Sequence, residues 1–121
     1  MERINTYYNN TMDVDGAVEY GFRRNKREIE NTIKYNGLTY ELVENLDGYG
    51  KALVYKYNDY LSDKFILLSY NTIVTEIEDN LLILNGSFSN TTLKHIKAFC
   101  DKYAHKQVSK KDCDNKLMIA I

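Results

Sequence analysis

The sequence predicts an α+β domain: a meander of five or six mainly antiparallel strands, a C-terminal amphipathic helix packed on one face, and a short N-terminal helix. Three observations predict it. Residues 72–77 alternate, with Ile73, Thr75 and Ile77 pointing one way and Thr72, Val74 and Glu76 the other, which is the period of a half-buried strand. Asn36-Gly37 stands between two β-prone runs, and both residues accept the positive φ of a type I′ hairpin turn. Leu93, Ile96, Phe99, Cys100 and Tyr103 recur at helical spacing and make one apolar stripe. The only partner available to that stripe is the sheet before it. Burying each large apolar side chain contributes ~1.5–3 kcal/mol, so this packing is expected to be a central source of stability.

Taken in order, residues 1–16 read as a polar arm or short edge strand carrying the pair Tyr7-Tyr8, and residues 17–121 as a single domain. Residues 17–30 have weak helical periodicity through Val18, Phe22 and Ile29. Asn25 with Glu28 three positions on resembles a capping box, so a helix is expected over about residues 26–31. The Asn36-Gly37 hairpin follows, its second strand running from Thr39 to Val43. Asp47-Gly48-Tyr49-Gly50 is a second turn. Residues 51–57 then place Ala52, Val54 and Lys56 on one face and Leu53, Tyr55 and Tyr57 on the other. A polar loop at 58–63 precedes a short apolar strand at 65–68. After the alternating strand, Glu78-Asp79-Asn80 supplies turn chemistry. Residues 81–84 are apolar on both faces and read as a covered strand. Ser89 or Asn90 can cap the helix that follows. Residues 104–116 are basic and polar with room for a short helical turn. Residues 117–121 are apolar and need cover, and strand addition to the sheet is favoured over contact with a second subunit.

Composition excludes several classes. Apolar residues make up 44% of the 121 positions, too many for a disordered chain. A net charge of -1 gives no whole-molecule attraction to nucleic acid or anionic membrane. Charge is unevenly placed, however. Residues 36–80 carry three lysines against eight carboxylates, and residues 91–121 seven lysines against Asp101, Asp112 and Asp114. Two cysteines, Cys100 and Cys113, do not make a disulfide framework and read as reduced thiols. No run approaches the ~20 apolar residues of a membrane span, and no signal-peptide core opens the chain. The expectation is a soluble cytoplasmic protein without a membrane partner.

The motifs of chemistry are missing. His95 and His105, or His95 and Cys100, do not stand at zinc-ligand spacing. No nucleophile elbow or Cys–His signature is present, and Gly48 and Gly50 lack the lysine pattern of a phosphate loop. The reading is therefore a non-enzyme without metal or cofactor, against which an unrecognised hydrolase is weighed. Arg23, Arg24, Lys26 and Arg27 form the densest basic cluster, a candidate phosphate contact if the charges share one face. Strand tyrosines could stack bases, but an acidic sheet would repel phosphates. Tyrosines packed with their hydroxyls outward are the plainer reading.

Two blocks carry a resemblance: Ser69-Tyr70-Asn71-Thr72-Ile73-Val74 and, after a strand–turn–strand, Ser89-Asn90-Thr91-Thr92-Leu93-Lys94-His95-Ile96. Over residues 69–99 the chain resembles a small domain of unknown function found in phage and prophage proteins. The resemblance implies a mobile-element origin and no activity. Thr92, Lys94 and His95 fall in the second block. They read either as a satisfied helix corner or as an anion contact at the open N–H groups of a helix start. With the Arg23–Arg27 cluster they are the candidate binding residues. The expected function is a phage accessory protein that inhibits a host defence system or host enzyme by stoichiometric binding in the host cytoplasm. A binder of nucleic acid or of a small signalling nucleotide is the alternative. The apolar C-terminus leaves a homo-oligomer open.

Overall fold

A computed structural model describes residues 11–14, 29–57, 59, 62–86 and 88–121 of the chain. Eight strands form one sheet in sequence order: β1 (Thr11–Val14), β2 (Thr32–Tyr35), β3 (Leu38–Asn45), β4 (Ala52–Tyr57), β5 (Lys64–Ser69), β6 (Thr72–Glu78), β7 (Leu81–Leu84) and β8 (Met118–Ala120). From β2 to β8 each strand pairs antiparallel with the next. This is the expected meander with more strands than expected. The addition on one edge is β1, which lies within the expected arm and pairs parallel to β2. On the other edge β8 uses the apolar C-terminal run to cover β7, as strand addition requires.

The turns follow local chemistry. Asn36 and Gly37 have φ of 52° and 80°, the paired positive values of a type I′ turn, whose twist suits the flanking strands. Asp79 at the β6–β7 turn has φ 56°. There its carboxylate accepts from the Asp63 backbone N–H at 3.1 Å, which ties two neighbouring turns together.

The expected N-terminal helix is corrected at its described end. Ile29 and Glu30 have no regular structure and Asn31 is a bend; residues 26–28 lie outside the described set. The reason is that this backbone bonds outward to the sheet. The Asn31 carbonyl accepts from Leu42 N–H at 2.9 Å, and the Glu30 carbonyl accepts from the buried Tyr55 hydroxyl at 2.8 Å. A helix would claim those carbonyls for itself.

Between β7 and β8 the chain forms the helical layer: α1 (Asn90–Phe99), a π-helical turn (Cys100–Ala104) and α2 (Lys110–Asp114). The stripe falls where its periodicity places it. Ile96, Phe99 and Cys100 are fully buried against Ala52, Val54, Leu67, Leu82 and Leu84 of the sheet, with Leu93 and Tyr103 packed at the margin. Continuing α1 into a wider π turn keeps Tyr103 beside Phe99, with ring centroids 5.3 Å apart. Glu44 anchors the far end by accepting from Lys102 Nζ at 2.9 Å and from the Tyr103 hydroxyl. The lysine and the hydroxyl hold the Glu44 carboxyl below its usual range.

The opposite face carries a second core of Ile33, Tyr35, Tyr40, Leu53, Tyr55 and neighbours. Here the alternation read for residues 72–77 fails. A bulge in β6 leaves Val74 as the extra residue between the pairs Leu68↔Ile73 and Leu67↔Thr75, so Ile73 joins this second core while Val74 and Ile77 join the helix-side one. A bulge offsets the pleat by one residue and sends side chains on either side of it to different faces. Two of the strand tyrosines also differ from expectation, for the hydroxyls of Tyr35 and Tyr55 meet partners within the fold. Tyr35 donates to Glu76 Oε2 at 2.7 Å. Burial, followed by the Glu76 and Glu78 charges, pushes Tyr40 up to about 12.

Candidate functional site

The most organised polar cluster lies where the β5–β6 turn meets the start of α1. Ser89 has extended backbone, and its hydroxyl oxygen accepts from Thr92 N–H at 3.2 Å, capping the helix. That cap points Thr92 and, one position beyond Lys94, His95 toward the sheet. Ser69, the last residue of β5, is 2% exposed. Its hydroxyl lies 3.1 Å from Thr92 Oγ1 and 2.9 Å from His95 Nδ1. The other ring nitrogen, His95 Nε2, is 3.7 Å from Asp47 Oδ2. Asp47 is fixed in turn, because its Oδ1 accepts from the N–H groups of Tyr49 at 3.0 Å and Lys51 at 3.2 Å.

These distances define a directed chain. The Asp47 carboxylate favours the ring proton on Nε2, since the hydrogen bond or charge at one nitrogen sets the state of the other. Nδ1 is then the acceptor for the Ser69 hydroxyl. Ser69 Oγ in turn accepts from Thr92, and Thr92 Oγ1 accepts from Ser89 at 3.3 Å. Every hydroxyl donates once, so a buried row of polar groups is satisfied from the solvent-exposed cap to the Asp47 turn. Burial lowers the His95 pKa, with Asp47 opposing and Lys51 reinforcing. For Asp47, burial acts upward, but the backbone N–H groups and the His95 ring outweigh it and hold the carboxyl below its usual value.

A pH dependence follows. The unfolded chain protonates His95 near 6.5, the folded chain only at lower pH. The unfolded state therefore holds more protons below about pH 6.5. Stability is complete above that pH and declines as pH falls from there toward 5, before the carboxylates titrate. Chemical denaturation at pH 7 and pH 5.5 should show the loss, and a His95→Asn variant should flatten it. An unchanged slope in that variant would assign the effect to another group.

A serine, a histidine and an aspartate in line invite comparison with nucleophilic catalysis. The geometry here serves packing. A nucleophile must approach a substrate atom to within about 3–3.5 Å, whereas Ser69 is sealed between β5 and α1. A surface hollow of about 270 Å³ is lined by Lys97, Asp101, Gln107 and Val108, which share no member with this cluster. Among the described residues no group of three or more His, Cys, Asp and Glu could hold a metal ion. Nor is any helix among them long and apolar enough to cross a membrane.

Of the candidate binding residues, Thr92 and His95 are brought together and buried, while Lys94 is exposed on α1. Arg23, Arg24, Lys26 and Arg27 lie outside the described residues. Ser69 and Asp47 complete the cluster without having been singled out as site residues. Ser69 stood in the first of the two sequence blocks, and that the blocks touch was the signal available for it.

What lies outside the buried row is aromatic. Tyr70 follows Ser69 with φ 57°. Its ring centroid is 6.0 Å from that of His95, and Lys51 Nζ is 5.9 Å from its centre. Tyr49 stands at the tip of the Asp47 turn, 77% exposed.

Residues 23–115 match the model of a family of unknown function, DUF8033. The match extends well beyond the two blocks at 69–99. No curated protein and no solved structure matches the chain.

Proposed function

We propose that this chain, which belongs to the DUF8033 family of unknown function, is a non-catalytic binding protein. It acts stoichiometrically on a protein partner, as an accessory factor of a phage or other mobile element that inhibits a host defence system or host enzyme in the host cytoplasm. The observation that carries this reading is the inversion at the Ser69 corner. The groups capable of chemistry are buried and spent on one another, while large aromatic side chains stand outside on rigid turns. Buried, satisfied polar rows rigidify a scaffold, and exposed tyrosines are among the side chains enriched as anchors of protein contacts. The mobile-element origin rests on the two sequence blocks alone. Binding of nucleic acid through the sheet tyrosines loses support, since Tyr35, Tyr40 and Tyr55 are buried and offer no open face to a base.

Affinity capture from a lysate of the host should recover one protein in near-equal amount, unchanged by nuclease treatment. Recovery abolished by nuclease, or no equimolar partner, would remove the reading.

A further inference from the structure

We infer that the corner formed by Tyr49, Lys51 and Tyr70 is the docking face, and that it takes a protein surface presenting a carboxylate between apolar groups. This rests on the stoichiometric-binding reading and adds to it the place and the partner chemistry.

Four observations meet at this corner. Tyr49 and Tyr70 are 77% and 40% exposed, and they flank Lys51 through short backbone links. Tyr70 N–H donates to the Lys51 carbonyl at 2.9 Å, and Tyr49 N–H to Asp47 Oδ1. Tyr70 holds the left-handed conformation at φ 57°, where Asn or Gly sits at lower cost and a bulky residue is an outlier. Stability alone does not account for a tyrosine there, and strain of this kind gathers at binding sites. Lys51 has no carboxylate partner among the described residues, because the adjacent Asp47 carboxylate faces inward to backbone N–H groups and His95. The neighbouring start of α1 has no acidic residue in its first turn. The corner therefore presents a cation without a carboxylate partner beside the Tyr70 ring, with the exposed Tyr49 two residues away on the same turn, on turns locked from beneath. Such preorganisation lowers the ordering cost of binding.

The occupant is a protein segment rather than a nucleic acid. Asp63, Glu78 and Asp79 cluster at the other end of the same β5–β6 hairpin, about 20 Å away at the rise of a strand. A duplex carrying a charge about every 1.7 Å would lie across them. An acidic side chain in an apolar surround engages Lys51 and the two rings without reaching that end.

The test uses the full chain as bait for a displayed library of random twelve-residue peptides. Enriched peptides should carry Asp or Glu beside large apolar residues. Their affinity should fall at least about 10-fold on Tyr49→Ala or Lys51→Glu, the scale of a lost anchor. Tyr70→Asn should weaken binding equally while raising Tm by about 2–4 °C, because it relieves the left-handed strain; a merely structural Tyr70 would lower both. Peptides without acidic bias, or binding that survives Tyr49→Ala and Lys51→Glu, overturns the inference. So does preferential capture of a twelve-nucleotide single strand, or self-association that Tyr49→Ala abolishes, which would assign the corner to nucleic acid or to a second copy. If the host-lysate partner is recovered equally by wild type and Lys51→Glu, this corner falls and the binding function stands. If no equimolar partner exists yet acidic peptides select on the corner, the function falls and the corner stands.

Discussion

Phe99→Ala is expected to lower stability by about 3–5 kcal/mol, the usual cost of emptying a buried aromatic site. Phe99 is fully buried, and it lies in the helix-side core beside Tyr103, whose ring also meets Phe65 at 5.1 Å. Removing it leaves a void at the junction of α1, the π turn and the sheet, where neither layer can collapse without breaking the Glu44 anchor. Domains of this size are held by roughly 5–15 kcal/mol, so Tm should fall by about 10–20 °C. Urea denaturation checks this, and the midpoint should move with the slope unchanged. Ile83→Ala, at a half-buried position on β7, should cost clearly less. Equal effects at the two sites would mean that the helix is not the principal cover of the sheet.

His95→Ala should cost about 2–4 kcal/mol, for two reasons that separate experimentally. The ring fills space under Tyr70, and its loss leaves the buried Ser69 hydroxyl without its acceptor, itself a penalty of about 1–3 kcal/mol. Ser69→Ala should cost about 1–2 kcal/mol. The double variant should be less destabilised than the sum of the two, by about 1 kcal/mol, because groups that share one hydrogen bond do not add. Strict additivity would show that Ser69 and His95 are neighbours without being partners.

What the sequence discloses and what it hides divides along sequence distance. The Asn36-Gly37 hairpin, the two faces of β4 and the α1 stripe are written in periods of two to seven residues. Each is enforced by backbone geometry close at hand, so each is legible. Strand addition at residues 117–121 was legible for a different reason: an apolar run must find cover. The bulge at Val74 was hidden, since nothing in the alternation of β6 says that one of its residues will stand unpaired against β5. The end of the expected N-terminal helix was misread because residues 30 and 31 give their carbonyls to Tyr55 and Leu42, partners that only the folded sheet supplies. The Ser69–His95 contact spans 26 residues and reaches Asp47 on a third element. Residue types alone cannot signal such a meeting, although the two recurrent blocks marked its halves.

The ladder order has a kinetic corollary. From β2 to β7 every strand finds its mate in the residues just made, so successive hairpins can zip as local events with little loop-closure entropy to overcome. At the C-terminal edge β8 must wait, because its place beside β7 opens to it after the whole helical excursion has settled. The slow event in folding is therefore the return of the tail, and until it happens Leu81–Leu84 is a bare, oily margin on which two unfinished chains can zip together.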